Sequence, residues 1–550
     1  MEKRLLLAIV LSFLILVLWQ LLFVKKPEEK PAAETPAEIT KKTEKEAYER
    51  ALQPPAKKKS EEKAAAPEIL RPTSAEEEEK IIVETSLYRA VWTNRGGVLE
   101  SWKLKKHKDE NREELELVSP RAEELKIFPF SLKTDDPLFD DTVNSAYYKT
   151  SKPKLSLENG QKAEMRFEYA DGKGNSVEKI FTFEDGTYNF TTEIKVIKKG
   201  KEINPRLLWG PGFSLLSPVQ KKGRFGGTKG LAALIANKVF HMDERKYKPE
   251  QSVISYAQWA AYEDTYFAAL FLLPPVKNNA EFIREEREDK VDYFLLLASP
   301  QRAYLGPKEL DVLVKFGYQT KKIIRFGLFG FIAEILLRAI KIIHQGIPNW
   351  GVAIIILTLI TKIIFFPLTY SSTKSMAKMQ EIQPKIKALR SKYKKAKQDI
   401  AQRRKMNEEM MKLYKEHGIN PAGGCLPMLI QLPVFWGFFQ LLRLAIEFRH
   451  SHFILWITDL STKDPYYVTP ILMGITQYIS QKITPTSADP TQQRMMLIMP
   501  VVLTFFFMSF PSGLVLYWLT QNVLQIGQQL IMNRLMKKKR VTHGKRKKRK

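Results

Sequence analysis

The sequence predicts a polytopic α-helical membrane protein that also carries an extracytoplasmic all-β domain. Three observations lead there. Apolar runs long enough for lipid stand at residues 5–24 and recur after residue 349. Residues 81–320 read instead as short alternating runs broken by turn signals. The formal charge of +28 is concentrated in two blocks, residues 371–420 and 534–550, which the positive-inside bias puts on one face of a membrane.

The first apolar run, Leu5–Val24, follows Lys3 and Arg4. It has about the 20 residues needed to cross a hydrocarbon core. The stretch after it, "LWQLLFVKKPEEK", offers no small-x-small cleavage site, so Met1–Val24 is expected to be an uncleaved anchor. Lys25–Lys80 is rich in Pro, Ala, Glu and Lys, cannot bury a core, and reads as a flexible linker. From Ile81 to Thr320, runs such as "IIVETSLYRAVWTN" and "VEKIFTFEDGTYNFTTEIKVI" alternate, with "RGG", "DGKGN" and "EDGT" as turns. That pattern suits a largely antiparallel β-sandwich. His107 and His241 are read as isolated from acids, and "GRFGGTKG" lacks phosphate-loop spacing and reads as a turn.

In Leu328–Gly346 the polar residues Glu334, Arg338, Lys341 and Gln345 share one helix face, as in an amphipathic helix lying on a membrane surface; a buried globular helix is the alternative. Transmembrane segments are expected at Ile347–Tyr370, Pro421–Ile446, Tyr466–Lys482, Met495–Phe510 and Pro511–Met532, the last two parted by a "PSG" turn. With the anchor this makes six, so both termini and both basic blocks fall in the cytoplasm and the β domain outside. Ser371–Asn420 reads as a basic helical hairpin, with Ile382, Ile386, Leu389 and Tyr393 facing Ile400, Met406, Met410 and Leu413, and a cap at His417–Gly418. In the tail Asn533–Lys550, residues Lys537, Lys538, Lys539, Arg540, Lys545 and Arg546 suit a polyanion such as the ribosome or anionic phospholipid; a topology signal alone is the bland alternative. The single cysteine, Cys425, excludes an internal disulfide and any cysteine-rich metal site. No cofactor, metal, small-molecule substrate or enzymatic chemistry is expected.

One residue breaks the apolar pattern. In "ILTLITKIIFFPLT", Lys362 lies in mid-run, where a charge costs at least a few kcal/mol and normally faces a partner or a cavity. The five spans after residue 346 contain no Asp or Glu to pair with it. They do contain neutral polar groups: Thr358 one turn earlier, Gln431, Thr504, and the series Tyr517, Trp518, Thr520, Gln521, Asn522, Gln525, Gln528 and Gln529. Snorkelling of Lys362 to an interface is one reading. The other is a wet, positively charged pocket whose carboxylate arrives on another molecule.

Several stretches resemble the YidC membrane protein insertases: "NWGVAIIILTLITKIIFFPLT", "NPAGGCLPMLIQLPVFWGFFQLLR" and "DPTQQRMMLIMPVVLTFFFMSFPSGLVLYWLTQNVLQIGQQ" in the helical part, and "VETSLYRAVWTNRGGVLESWKL" and "YLGPKELDVL" before it. The resemblance implies a five-helix insertase core, a periplasmic β-supersandwich of the Gram-negative type, and residence in the cell inner membrane. It implies a hydrophilic groove open to cytoplasm and lipid, where an arginine attracts acidic or polar parts of nascent membrane proteins. Aligned on the flanking "PL", that arginine position is Lys362 here, with Thr358, Tyr517 and Trp518 on groove positions; Gln431, Gln521 and Asn522 complete the expected set. A lipid-facing slide for the client's hydrophobic part would comprise Leu432, Pro433, Phe435, Val501, Phe505 and Phe506. The implied partners are nascent membrane proteins, the Sec translocon and the ribosome. Lysine keeps the arginine's charge but lacks its two-pronged fork for carboxylates.

A secondary transporter is the main rival reading, but coupling usually needs intramembrane carboxylates or broken helices, and no inverted repeat is evident. An enzymatic β domain is the second rival, and docking on the secretion machinery suits that domain better.

Overall fold

The computed structural model describes residues 72–151, 153–213, 229–287, 290–393, 399–419, 426–484 and 490–547, with side chains left undescribed at 426–430, 490–495 and 535–547. The expected anchor, most of the linker and the "GRFGG" turn lie outside the described residues. Two compact units divide what remains, one ending at Gly306 and one running on from Pro307.

The first unit is built from three sheets, two of five strands and one of ten. The large sheet runs from the edge strand Lys238–Asp243 through Gly230–Ile235, Trp259–Glu263, Phe267–Leu272, Arg302–Pro307, Asn189–Lys198, Ser176–Glu184 and Lys162–Ala170 to Lys149–Thr150. Pairing is antiparallel almost throughout, the strands Lys80–Glu84 and Lys154–Ser156 being parallel. The period-two pattern does what the sequence expects: in Ser176–Glu184 every second residue is buried. Aromatic rings from all three sheets meet at Phe130, whose ring centroid lies 5.2 Å from Trp92, 5.5 Å from Phe181, 6.0 Å from Phe271 and 6.4 Å from Trp209. Such rings supply most of the apolar area in a core of this kind. The "RGG" turn is a tight one, with Gly96 and Gly97 both left-handed, and a Cβ on Gly96 would sit 2.5 Å from the Asn144 carbonyl oxygen.

Two details depart from expectation. The last strand ends at Pro307, not near residue 320; the helix Leu310–Phe316 and the turn Thr320–Ile323 belong to the second unit. His241 is not isolated, because its Nδ1 lies 2.9 Å from Oε1 of the fully buried Glu263. The sheet brings together a pair that stands 22 residues apart in the chain.

Inside this core sits a lysine that the alternation hides. Lys179 takes the inward position between Val177 and Phe181 and is fully buried. Its ammonium donates to the carbonyl oxygens of Gly96 at 2.7 Å, Phe130 at 2.9 Å and Gly97 at 3.2 Å, so three acceptors match its three N–H groups. It thereby ties a glycine turn of one sheet to the strand of another. Burial works against the charge and pushes Lys179 down to about 7. Lys179→Met would strand those carbonyls in an apolar core, and we expect a loss on the order of 3 kcal/mol, read as lost hydrogen-exchange protection in Ser176–Glu184. Because the unfolded chain binds this proton more readily, wild-type stability should rise with pH from about 7 towards the ordinary lysine range. The methionine variant should lack that slope.

The helices, numbered along the chain, are α1 (Arg121–Leu125) and α2 (Pro137–Ser145) in the first unit, then α3 (Leu310–Phe316), α4 (Gly330–Gly346), α5 (Trp350–Ile364), α6 (Phe366–Glu381), α7 (Gln383–Lys392), α8 (Ile400–Glu416), α9 (Leu426–Leu444), α10 (Val468–Ile483), α11 (Pro490–Phe507) and α12 (Ser512–Lys547). Among the described residues no single helix is long and apolar enough to cross a membrane; α5 and α6 pass that test together, bent by 60°. For two of the helices length alone accounts for this. Crossing takes about 20 residues, and α5 has 15 and α10 has 16. The sequence expected one span through Tyr370, but the helix breaks at Phe365, and Pro367, which has no N–H to donate, opens the next. At α4, Ala333, Leu336, Leu337 and Ile340 are buried while Phe331, Ile335 and Ile342 are exposed. The helix thus has a packed stripe, an exposed apolar stripe and, between them, the polar stripe read from the sequence. The hairpin is held by Met379, Ile382, Ile386 and Ile419, packed against Met410, Leu413 and Tyr414, whereas Ile400, expected in the seam, opens α8 and is exposed.

Candidate functional site

The inward face of α5 is set by its repeat. Gly351, Ala353, Ile354, Leu357, Thr358 and Lys362 are buried, whereas Leu359, Ile360, Ile363 and Ile364 point outward. Residues 354, 358 and 362 follow one another at intervals of four, which stacks them on one helix face. Asn349 caps the helix by accepting from Val352 N at 3.0 Å, and its amide donates to the Phe453 carbonyl at 2.9 Å. Lys362 is therefore carried into the bundle and is only 8 % exposed.

There it meets α12. Nζ of Lys362 donates to Oε1 of Gln525 at 2.8 Å. No carboxylate lies in ion-pair range of it among the described residues. Lys362, Thr361 and Phe365 line a narrow pocket with Gln431 and Val434 of α9 and Tyr517 and Gln521 of α12. The pocket thus gathers four of the seven expected groove residues. The other three lie elsewhere. Thr358 is fully buried and bonds back to the Ile354 carbonyl at 2.6 Å. Trp518 donates to Gln477 Oε1 at 3.1 Å, and Asn522 donates to the Met473 carbonyl at 3.1 Å, so both fasten α12 to α10. Thr361, Phe365 and Val434 were not singled out in the sequence, and Gln525 was named only as one polar group among many.

Of the expected slide residues, Leu432, Val501, Phe505 and Phe506 are exposed, and Pro433 and Phe435 are half-buried. Phe435 packs edge-on against Trp518, with centroids 5.0 Å apart. The tail residues Lys537–Lys539, Arg540, Lys545 and Arg546 fall within α12, but their side chains lie outside the described set.

A second lysine of this unit has the opposite company. Lys341 of α4 lies 2.7 Å from Glu447, 2.7 Å from Asp311 and 3.4 Å from Glu309. Burial opposes its charge, but the carboxylates outweigh burial and hold it above the usual lysine range. The three acids come from the start of the unit and from the turn after α9, so one ammonium closes three chain segments together.

Two family models cover most of the chain. The "YidC periplasmic domain" matches residues 80–339 and the "60Kd inner membrane protein" matches residues 342–539. A curated relative from Citrifermentans bemidjiense named "Membrane protein insertase YidC" is 39% identical, over 97% of this chain and 99% of its own. The chain belongs to the YidC membrane protein insertase family. A YidC of Geobacter sulfurreducens is 37% identical over 97% of this chain and 98% of its own. A solved structure titled "Active YidC insertase crystal structure with the first transmembrane domain resolved" covers 83% of this chain and 93% of its own at 20% identity, with a TM-score of 0.35, too loose for comparing geometry. As a YidC the protein is a non-enzymatic inner-membrane protein with a periplasmic β domain and a helical core.

The buried ion cluster yields a prediction. Lys341→Met would leave Glu447, 8 % exposed, without its cation, and breaking a buried pair from one side costs about 3–5 kcal/mol. We expect a lower thermal midpoint in detergent for Lys341→Met, and a substantial recovery when Glu447→Leu is added. No recovery would mean that the lysine stem, not its charge, supports the packing.

Proposed function

We propose that this chain inserts nascent membrane proteins into the inner membrane, receiving them in a hydrophilic groove whose positive charge is Lys362. One observation carries the proposal: a lysine buried in the helical unit, bonded to a neutral amide and without a carboxylate among the described residues. A buried charge normally has its counter-ion. Here the natural counter-ion is an acidic residue of the client's polar tail. The groove would comprise Lys362, Gln431, Tyr517 and Gln521 around the cation, with Thr358, Trp518 and Asn522 behind them. The client's hydrophobic segment would leave along Leu432, Pro433, Phe435, Val501, Phe505 and Phe506 into lipid, driven by about 25 cal/mol per Å² of apolar surface removed from water.

In this reading six spans cross the membrane, both termini are cytoplasmic, and the β domain, whose last strand ends at Pro307, is periplasmic. The hairpin receives the client, the basic tail contacts the ribosome and anionic phospholipid, and the protein works alone or beside the Sec translocon.

The test is insertion of paired clients that differ only in the acidity of the translocated tail, at matched amounts of each variant. Lys362→Ala should lower insertion of the acidic-tailed client about tenfold, the weight of one hydrogen bond to a charged group, and affect the neutral-tailed client far less. Lys362→Arg should retain or improve insertion, and Lys362→Glu should be the worst through like-charge repulsion. Equal losses for both clients would reduce Lys362 to a packing residue. For the tail, truncation after Leu535 should weaken ribosome co-sedimentation at low salt, and the full-length interaction should fall steeply as salt rises. A salt-insensitive interaction would leave the tail as a topology signal.

A further inference from the structure

We infer that Gln525 is a specificity-determining residue that joins Lys362 to form a two-donor clamp for a client carboxylate. The inference rests on the reading of Lys362 given above and deepens it.

A guanidinium holds a carboxylate through two parallel N–H···O bonds, whereas an ammonium is a point charge whose donors diverge. A lone lysine is therefore a poorer carboxylate clamp than an arginine. The contact at 2.8 Å supplies what is missing. Gln525 accepts from Nζ through Oε1, which leaves its own NH₂ group beside the ammonium on the same amide plane. Nε2 has no hydrogen-bond partner among the described residues, and the Gln525 side chain is only half-buried. Two of the three ammonium N–H groups are likewise uncommitted. A carboxylate entering the pocket can take one N–H from Lys362 on one oxygen and one from Gln525 on the other, giving the fork that lysine alone lacks. The bond already present helps further, because an amide whose oxygen accepts from a cation becomes a stronger donor at nitrogen. The residues that line the pocket with Lys362, namely Thr361, Phe365, Gln431, Val434, Tyr517 and Gln521, include no anion to compete, and Gln525 meets the cation from beside that lining.

The register supports the assignment. Trp518, Gln521, Asn522 and Gln525 recur at three- and four-residue steps along α12, but they divide their labour: Trp518 and Asn522 bond to α10, Gln521 lines the pocket, and Gln525 bonds to the cation. Gln525 is the member of this series in contact with the charge.

The experiment uses the full-length protein in vesicles and reads the ratio of acidic-tailed to neutral-tailed client inserted. Gln525→Glu keeps shape and acceptor but turns the second donor into a resident anion on Lys362. The ratio should fall about tenfold or more for Gln525→Glu, because the new carboxylate both removes the second donor and occupies Lys362; the donor's own share is read from Gln525→Leu, which adds no charge. Gln525→Leu should also lower it. In the background Lys362→Arg, Gln525→Leu should leave the ratio at that of the arginine single variant, because arginine brings its own fork. An unchanged ratio for Gln525→Glu, or a double variant as deficient as Gln525→Leu alone, would overturn the clamp. Should Gln525→Leu fail to accumulate, the other two variants decide. Lys362→Ala separates the two levels: a lowered ratio there with an intact ratio in Gln525→Glu overturns the clamp alone, whereas an unchanged ratio in Lys362→Ala overturns the groove reading and the clamp with it.

Discussion

A lysine ammonium taken out of water must give its three N–H groups to acceptors, and how completely it does so decides what it is for. The protein presents three answers. Lys179 gives all three to backbone carbonyls and becomes a fastener in the β core. Lys341 is surrounded by Glu447, Asp311 and Glu309 and becomes a knot between chain segments. Lys362 gives one bond to an amide and, among the described residues, no other. The first two are finished structures. The third is left unfinished in a setting where leaving it so is costly, and the client carboxylate proposed above would complete it.

That incompleteness also explains why the helical unit is not uniformly apolar. A cation without a counter-ion needs polar neighbours that soften its surroundings without neutralising them, and Gln431, Tyr517, Gln521 and Gln525 are all neutral. A glutamate among them would hold the lysine permanently, as Glu447 holds Lys341. Lys362 itself stands on a helix of 15 residues, and the amides that face it interrupt the apolar surface of α9 and α12.

Much of this was legible in the sequence. Strand alternation, the "RGG" turn and the polar stripe of α4 follow from local spacing, and the structure has them where spacing puts them; of the hairpin seam it keeps Ile382, Ile386, Met410 and Leu413 but not Ile400. Lys362 was legible as an anomaly, because a charge stands out against an apolar run. What sequence could not supply was company. Lys179 hides because a period-two pattern fixes the direction of a side chain and says nothing of the carbonyls it will find. The Glu447 partner of Lys341 and the Gln525 partner of Lys362 lie on other elements, the latter 163 residues along the chain. The break at Phe365 was half visible in "FFP"; that the helix resumes through Glu381 at a new angle depends on packing.

α12 has one further property. It is a single helix of 36 residues from Ser512 to Lys547 with no break recorded in it, a rod of roughly 54 Å at 1.5 Å per residue. Its first turn is anchored, with Ser512 N bonded to the Thr462 carbonyl at 2.6 Å and Gly513 N to the Leu460 carbonyl at 2.9 Å. Gln525 sits along its length, and the lysine-rich end projects beyond. The hold continues past that first turn, through Trp518 and Asn522 to α10 and Gln525 to Lys362, so the half of the rod that faces the cation is fixed in register while its last residue is carried about 33 Å beyond Gln525.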